Sequence, residues 1–182
     1  MESVRAVMNL DEICKASPLL SGLVFAAEDY AFDLSLTRTP DQKEFFYARS
    51  AIAIASRAYN LPSTIDLVCT QFRSTESQEI MRREAEDGKA LGFNSKQCIH
   101  PSQVEIAQQV FRVSEKELEW AVRVSIADIR AAEEGRAAWA LDGKMVDIPI
   151  VLKARGLLEK ATHCGMDISG VQEKWKSQEP DP

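Results

Sequence analysis

The sequence has few cysteines and no long apolar stretch, and both shortages narrow the kind of protein it can encode. No apolar run approaches the ~20 residues that a membrane-spanning helix needs. The N-terminus, MESVRAVMNLDEI, lacks the charged-then-apolar pattern of a signal peptide. The four cysteines are scattered without the C-x-x-C spacing of zinc or redox motifs. We therefore expect no membrane partner, and free thiols in a reducing intracellular compartment, either cytoplasmic or mitochondrial.

Positive charge is also in short supply. The chain carries 22 Lys and Arg against 28 Asp and Glu, and its net charge of -6 argues against nucleic acid as a partner, because nucleic-acid-binding domains usually present a basic face. An anionic small molecule is still possible where local cations or a metal receive it. The 182 residues are enough for a domain with a sizeable core.

In the first hundred residues, short apolar runs alternate with longer helical patterns. Thr39 and Pro40 predict the start of a helix that ends near Asn60, and Gly92 predicts the end of a second helix. This alternation of strand and helix is typical of a parallel sheet. The apolar runs are GLVFAA (22–27), IDLVC (65–69) and QCIH (97–100).

Beyond residue 110 the pattern becomes helical. Ser114 and Glu117 form a capping box before a long helix, the segment LDGKMVDIP reads as a turn-rich connector, and a further helix follows it. The last residues, 166–182, are polar and end in prolines, and we expect a flexible tail there. The residues expected to line one side of the long helix are Leu118, Ala121, Val122, Ser125, Ile126 and Ile129.

Two adjacent carboxylates, Glu28 and Asp29, end the first apolar run. Neighbouring carboxylates repel each other and are costly to desolvate, so they either lie in water at a turn or face a cation. Glu2 lies at a possible strand-to-helix junction one βα unit upstream. Carboxylates that end adjacent parallel strands, ~4.8 Å apart, can converge on one ion. Two carboxylates with water are a usual way of holding Mg²⁺.

Five segments occur in an order that resembles the C-terminal portion of the citrate lyase beta-subunit-like proteins, which include malyl-CoA and citramalyl-CoA lyases. The resemblance runs from residue 1 to roughly residue 160. It implies an α/β fold in which residues 1–110 are the C-terminal part of a (β/α)₈ TIM barrel and residues 111–165 form a helical C-terminal arm or lid. It also implies a homo-oligomer, a trimer in this family. The segments are MESVRAVMNLDEI, GLVFAAEDYAFDL, TIDLVCTQFR, ALGFNSKQCIHPSQV and GKMVDIP.

The resemblance also assigns roles to acidic residues. Glu2 and Asp29 match the family's Mg²⁺ ligands, and Glu28 would be a neighbour that adds negative field. Asp147 resembles an aspartate that reaches the active site of a neighbouring subunit, which makes it the candidate general acid or base. Local sequence supports a second reading of Asp147, as the N-cap of the helix that begins with Ile-Pro.

The loop GFNSKQCIHPSQ resembles the segment at the end of the last barrel strand. Lys96 is expected to meet a phosphate or carboxylate of an acyl-CoA as a point charge. His100 is a candidate for the same substrate site, although a histidine in an apolar strand is more often a hydrogen-bonded structural residue. Family members often carry an acidic residue where this chain has Gln71.

The implied activity is that of a Mg²⁺-dependent carbon–carbon lyase. Such an enzyme cleaves a malyl-CoA- or citramalyl-CoA-like thioester to an acyl-CoA and a 2-oxo acid. Two alternatives remain open: a metal-dependent aldolase acting on free 2-keto acids, and a truncated, non-catalytic half-barrel that associates with itself or with a full-length relative. The second arises because a complete barrel takes ~250 residues.

Overall fold

The structure, a computed structural model, describes residues 1–136 and 138–181, apart from the side chain of Thr75. The chain divides into two compact units, Met1–Phe111 and Arg112–Pro182. Within the described ranges, no helix combines the length and apolar character needed to cross a membrane.

The first unit is a mixed α/β structure built on a three-stranded parallel sheet with the order β1-β2-β3. Each strand is followed by at least one helix, as the alternating sequence pattern predicts. The strands are β1 (Gly22–Val24), β2 (Ser63–Asp66) and β3 (Ser95–Lys96). The helices are α1 (Val4–Met8), α2 (Leu10–Lys15), α3 (Ala27–Asp33), α4 (Phe46–Ala58, preceded by a 3₁₀ turn at Lys43–Phe45), α5 (Thr75–Leu91) and α6 (Pro101–Phe111).

The N-terminal residue pairs with the sheet beyond β1. The Met1 amino group donates to the carbonyl of Val24 at 2.5 Å, and the Ala26 N–H donates to the carbonyl of Met1 at 3.0 Å. This is the hydrogen-bond pattern of one parallel bridge opposite Phe25. Met1 therefore takes the place of a further strand, and Glu2 follows it just before the start of α1. No strand precedes α1 among the described residues, so the predicted strand-to-helix junction at Glu2 is present only as this single bridge before the helix.

The first two apolar runs overlap their strands, which end earlier than the runs, at Val24 for β1 and Asp66 for β2. The third prediction was wrong, because the run at 97–100 lies wholly beyond β3, which ends at Lys96. The residues that follow are still apolar because they are buried: Phe25 and Leu67 have no exposed surface. They lie in the connections between strand and helix, where burial produces the same sequence signal as a strand.

The helix predicted to start at Pro40 begins later. Gln42 has a left-handed backbone (φ +53°), and a 3₁₀ turn precedes α4, which starts at Phe46. The Thr39 hydroxyl hydrogen-bonds Glu44 at 2.6 Å instead of capping α4. The end of α5 is as predicted, with Gly92 in the left-handed conformation (φ +103°) that glycine adopts at little cost.

A buried aromatic group forms the centre of the first unit. The rings of Phe25, Tyr30 and Phe45 meet edge to face, with centroids 5.4 to 6.4 Å apart. Gly22 lets β1 approach β2 closely, because a Cβ at this position would lie 2.6 Å from both the Cβ and the carbonyl oxygen of Ser63.

The second unit contains three helices and a hairpin. They are α7 (Glu115–Glu133), α8 (Ile148–His163), α9 (Ile168–Lys174), β4 (Trp139–Leu141) and β5 (Lys144–Val146). The capping box of Ser114 and Glu117 is confirmed at the start of α7. Of the residues expected to line one side of α7, Leu118, Ala121 and Val122 are buried. Ile129 is 60% exposed, so the predicted stripe turns away from the core in the last turns.

Two sequence predictions in the second unit need correction. The segment LDGKMVDIP has the predicted turn, at Asp142 and Gly143, which both have positive φ (52° and 71°) as a two-residue type I′ turn requires, but this turn joins β4 to β5 in a β-hairpin that was not predicted. The flexible tail expected at 166–182 is contradicted within its described part: Ile168–Lys174 form α9, and the Asp181 N–H donates to the carbonyl of Ala140 at 2.8 Å beside the hairpin.

Candidate functional site

A cleft of about 640 Å³ lies beside the segment that follows β2 in the first unit. Ligands of α/β proteins collect at the carboxyl edge of a parallel sheet, because the loops that end there converge. The cleft therefore occupies the position where a site is expected. It is lined by Glu28, Arg38, Thr39, Pro40, Thr70, Gln71, Glu76, Ile80, Arg83 and Glu84.

Four side chains of alternating charge are linked in a row, and we call them the charge chain: Glu28, Arg38, Glu84 and Lys96. The first three line the cleft, and Lys96 is buried beside Glu84. Arg38 donates to Glu28 at 2.6 Å and to Glu84 at 3.0 Å. The second oxygen of Glu84 lies 3.3 Å from the Lys96 ammonium. Because opposite charges alternate, the buried members are compensated without solvent. The charge chain also explains how Glu28 is tolerated beside Asp29, because Arg38 neutralises the Glu28 carboxylate.

The two predicted metal ligands are exposed carboxylates of the first unit. Glu2 follows the Met1 bridge beside β1, and Asp29 lies in the first turn of α3, directly after the same strand. Asp29 has no hydrogen bond or ion pair with any described residue, whereas its neighbour Glu28 is held by Arg38. This arrangement leaves the Asp29 carboxylate available to a ligand.

The donor set fits Mg²⁺ better than a softer metal. Among the described residues, no three His, Cys, Asp or Glu side chains come close enough together to hold a metal ion. The protein would thus supply two carboxylates at most, and the remaining ligands would be water and substrate, as Mg²⁺ usually requires. That Glu2 and Asp29 share one ion stays a prediction.

Lys96 is buried, and its ammonium group is already engaged. The side chain has no exposed surface, donates to the carbonyl of Leu67 at 2.8 Å and pairs with Glu84. Direct contact with an acyl-CoA would require the ammonium to leave both partners. The predicted ligand role of Lys96 remains a prediction, and what the structure shows is a lysine that joins β3 to the segment after β2.

His100 lies at the surface immediately before α6. Its ring stacks on Phe72 with centroids 4.9 Å apart, and its Nδ1 lies 2.9 Å from the Ser102 hydroxyl. His100 makes a hydrogen bond, but it lies outside any strand and is exposed, so its expected place in an apolar strand was wrong. Its exposure leaves the ligand role open, and that role remains a prediction.

Asp147 is the N-cap of α8, as its local sequence predicts. Its carboxylate accepts a hydrogen bond from the Ile150 N–H at 3.3 Å and lines a cavity of about 260 Å³ in the second unit. Glu2 and Asp29 belong to the first unit. Whether Asp147 also acts in proton transfer therefore stays a prediction.

A buried ion pair at the end of β2 was not predicted from the sequence. Arg49 makes two hydrogen bonds to Asp66, at 3.0 and 2.7 Å, and one to Asp87 at 2.5 Å. Burial opposes the charge of Arg49, but these two carboxylates outweigh it and raise the pKa of the guanidinium. A signal was present, since Arg49 falls on the buried stripe of α4 between Phe45 and Ile52.

Comparisons with known proteins point to one family. Residues 1–101 match the family model described as HpcH/HpaI aldolase/citrate lyase. A citrate lyase subunit beta-like protein of Deinococcus radiodurans is 39% identical over 158 residues, covering 87% of this chain and 54% of that protein. The mitochondrial citramalyl-CoA lyase of Rattus norvegicus is 28% identical over 170 residues, covering 89% of this chain and 49% of that protein.

A solved structure agrees with the sequence comparison. The crystal structure of protein CitE from Mycobacterium tuberculosis in complex with magnesium, acetoacetate and coenzyme A matches with a TM-score of 0.71 and 31% identity. The match covers 89% of this chain and 59% of that one. The chain spans about half the length of the curated relatives it matches. The model match over more than half of its residues shows that the chain belongs to the HpcH/HpaI aldolase/citrate lyase family.

Proposed function

We propose that the chain is a Mg²⁺-dependent carbon–carbon lyase that cleaves a malyl-CoA- or citramalyl-CoA-like thioester to an acyl-CoA and a 2-oxo acid. The observation that carries the proposal is the state of the two neighbouring carboxylates after β1. Arg38 neutralises Glu28, while Asp29 is left exposed and without a partner among the described residues. This separation leaves the Asp29 carboxylate accessible to a cation, which supports the proposal.

The relatives support the choice of metal and substrate class. A similar structure was solved with magnesium, acetoacetate and coenzyme A, and curated relatives are named citrate lyase subunit beta and citramalyl-CoA lyase. In the proposed site, Glu2 and Asp29 hold Mg²⁺, which when bound supplies Lewis-acid polarisation of substrate oxygens. The two carboxylates suit that ion because they are hard oxygen donors at the loop edge of the sheet.

Proton transfer is assigned to Asp147. We propose that it removes the proton of the substrate hydroxyl as the carbon–carbon bond breaks, and that it acts on the site of a neighbouring copy in a homo-oligomer, by resemblance a trimer. His100, exposed at the start of α6, is the proposed contact for the coenzyme A portion. Lys96 would join it only by releasing Leu67 and Glu84.

The proposed architecture follows the same reasoning. We propose that the first unit is the C-terminal part of a (β/α)₈ barrel and that the second unit is its helical C-terminal arm. The parallel order β1-β2-β3, the Met1 bridge beside β1 and the half-length match to relatives support this reading.

The metal assignment is tested by Mg²⁺-dependent thermal stability and by turnover of citramalyl-CoA, followed through release of the 2-oxo acid. Mg²⁺ should stabilise the wild type, because a ligand at a hundredfold excess over its Kd adds ~2.7 kcal/mol to the free energy of unfolding. Asp29→Asn should lose both this stabilisation and the turnover. Glu12→Gln, which changes another exposed carboxylate of the first unit, is the matched control and should keep both.

The outcomes separate the alternatives. Equal Mg²⁺ stabilisation of wild type and Asp29→Asn would remove Asp29 from the site. Metal-dependent cleavage of free 2-keto acids with no action on the thioester would favour the aldolase. A folded chain that binds Mg²⁺ at Asp29 but turns over neither substrate would favour the non-catalytic half-barrel.

A further inference from the structure

The motif IHPSQ, which carries much of the family resemblance, places a buried glutamine between two loops at the edge of the cleft. Gln103 is 2% exposed and lies in the first turn of α6. Its amide nitrogen donates to the carbonyls of Cys69 at 2.8 Å and Gln71 at 3.2 Å. Its amide oxygen accepts from the Ile99 N–H at 2.9 Å. One side chain thus joins the loop after β2 to the loop after β3.

The geometry of this amide is demanding. Both of its N–H groups and its oxygen are used, and all three partners are backbone groups of segments without strand pairing at those positions. A buried backbone carbonyl or N–H without a partner is costly, so the two loops depend on this side chain for their hydrogen bonds. The stacking of His100 on Phe72 adds a second link between the same loops.

The clamped loop is part of the cleft. Thr70 and Gln71 line it, and the carbonyl of Gln71 is one of the two that Gln103 holds. Gln103 itself is not one of the described residues that line the cleft. We infer that Gln103 is a positioning residue, which sets the shape of the substrate cleft by holding the 69–72 loop against the start of α6. This inference rests on the proposed function for its effect on substrate.

The test compares Gln103→Met with Gln108→Met in the full chain. Methionine keeps the volume of glutamine but offers no comparable hydrogen bonds, and Gln108 is an exposed glutamine of the same helix that serves as control. The first measurement is hydrogen exchange by mass spectrometry. Gln103→Met should speed exchange about tenfold or more in peptides over 67–73 and 97–101. Without the Gln103 hydrogen bonds, these loops can open locally at a lower free-energy cost. Peptides of α4 and the Gln108→Met chain should match wild type.

The second measurement is steady-state cleavage of citramalyl-CoA with Mg²⁺. Loss of a surface that positions substrate should raise KM about tenfold with little change in kcat, as expected for an interaction made equally in ground and transition states. The Mg²⁺ concentration for half-maximal stabilisation should not change, since Asp29 lies outside the clamped loop. A merely structural role for Gln103 would lower thermal stability without moving KM.

Several results would overturn the inference. Unchanged exchange at 67–73 would show that Gln103 does not hold the loop. Faster exchange over the whole first unit, or faster exchange in these loops with an unchanged KM, would show that Gln103 only stabilises the fold and does not position substrate. A wild type without lyase activity would count against the proposed function alone. Hydrogen exchange and the affinity for coenzyme A, measured by calorimetry, would then show whether Gln103 holds the loop and shapes the cleft.

Discussion

The two units of the molecule differ in whether they bury ion pairs. In the first unit, the ion pair of Arg49 and Asp66 is 2% and 0% exposed, and the Lys96 side chain is fully buried. In the second unit, no described ion pair has two buried members: Asp142, paired with Arg123, is 59% exposed and Glu179, paired with Arg130, is 64% exposed. Buried charges are costly unless paired, whereas exposed pairs add little. Removing one partner of the buried pair should therefore lower the free energy of unfolding far more than removing one partner of an exposed pair in the second unit.

The largest effect is expected at the buried pair. Arg49→Met leaves the Asp66 carboxylate buried without its partner, and removing one member of such a pair costs ~3–5 kcal/mol. Chemical denaturation of the variant should show a loss of this size in the free energy of unfolding. Asp87→Asn is the matched control, because Asp87 contacts the same guanidinium but is 56% exposed.

A double variant separates the charge from the packing. Arg49→Met with Asp66→Leu removes both charges and should recover much of the lost stability, since apolar replacements of whole buried pairs are often tolerated. An equal loss for Arg49→Met and Asp87→Asn would contradict the contrast between buried and exposed partners.

A close approach of α5 to the buried pair gives the next largest effect. A Cβ at Gly88 would lie 2.3 Å from the Asp66 carboxylate, so Gly88→Ala must displace that group or its helix. Overpacking of this kind costs ~1–3 kcal/mol. In α8 of the second unit, a Cβ at Gly156 would meet nothing within 4 Å. Gly156→Ala should instead stabilise by ~0.5–1 kcal/mol through helix propensity.

The two glycine variants form one comparison in thermal and chemical denaturation. The same substitution should have opposite signs in the two units. Stabilisation by Gly88→Ala would mean that α5 does not press on Asp66 in solution, and the account of the buried pair would need revision.

The sequence predicted what local pattern determines and missed what long-range contact determines. The capping box at Ser114, the cap at Asp147 and the left-handed end at Gly92 each depend on a few neighbouring residues, and all three are confirmed. The later start of α4 reflects the hydrogen bond of Thr39 to Glu44 and the left-handed backbone of Gln42, which the apolar pattern of the helix does not reveal. The hairpin at Asp142 had a local signal, the Asp-Gly pair, that was interpreted as a loop.

The candidate site shows the same division. The placement of Asp29 directly after β1 could be predicted from its apolar run, while the role of Asp29 and Glu2 as metal ligands stays a prediction. The partners of Glu28, Glu84 and Gln103 were not found, because Arg38 meets Glu84 across 46 positions and Gln103 meets Cys69 across 34. A polar residue on a buried stripe, such as Arg49, is the feature that would have indicated such contacts.

The smallest expected effect concerns the exposed pair of Arg123 and Asp142 in the second unit. The hydrogen bonds from Arg123 lower the pKa of Asp142 below its ordinary value of 3.8. A carboxylate with a lowered pKa in the folded state adds stability above its unfolded pKa and loses it as the pH falls through the folded pKa. The stability of the wild type should therefore decline between about pH 4 and the lower folded pKa partly because of this pair.

Asp142→Asn isolates that contribution, because asparagine accepts the positive φ of the turn as readily as aspartate does. Denaturation curves at pH 6 and at pH 2.5 should show the variant slightly less stable than wild type at pH 6, and the difference should shrink at pH 2.5. The loss at pH 6 should be far smaller than that of Arg49→Met, since water and salt screen an exposed pair. A difference that persists at pH 2.5 would mean that Asp142 acts through the shape of the hairpin turn, with its charge playing no part.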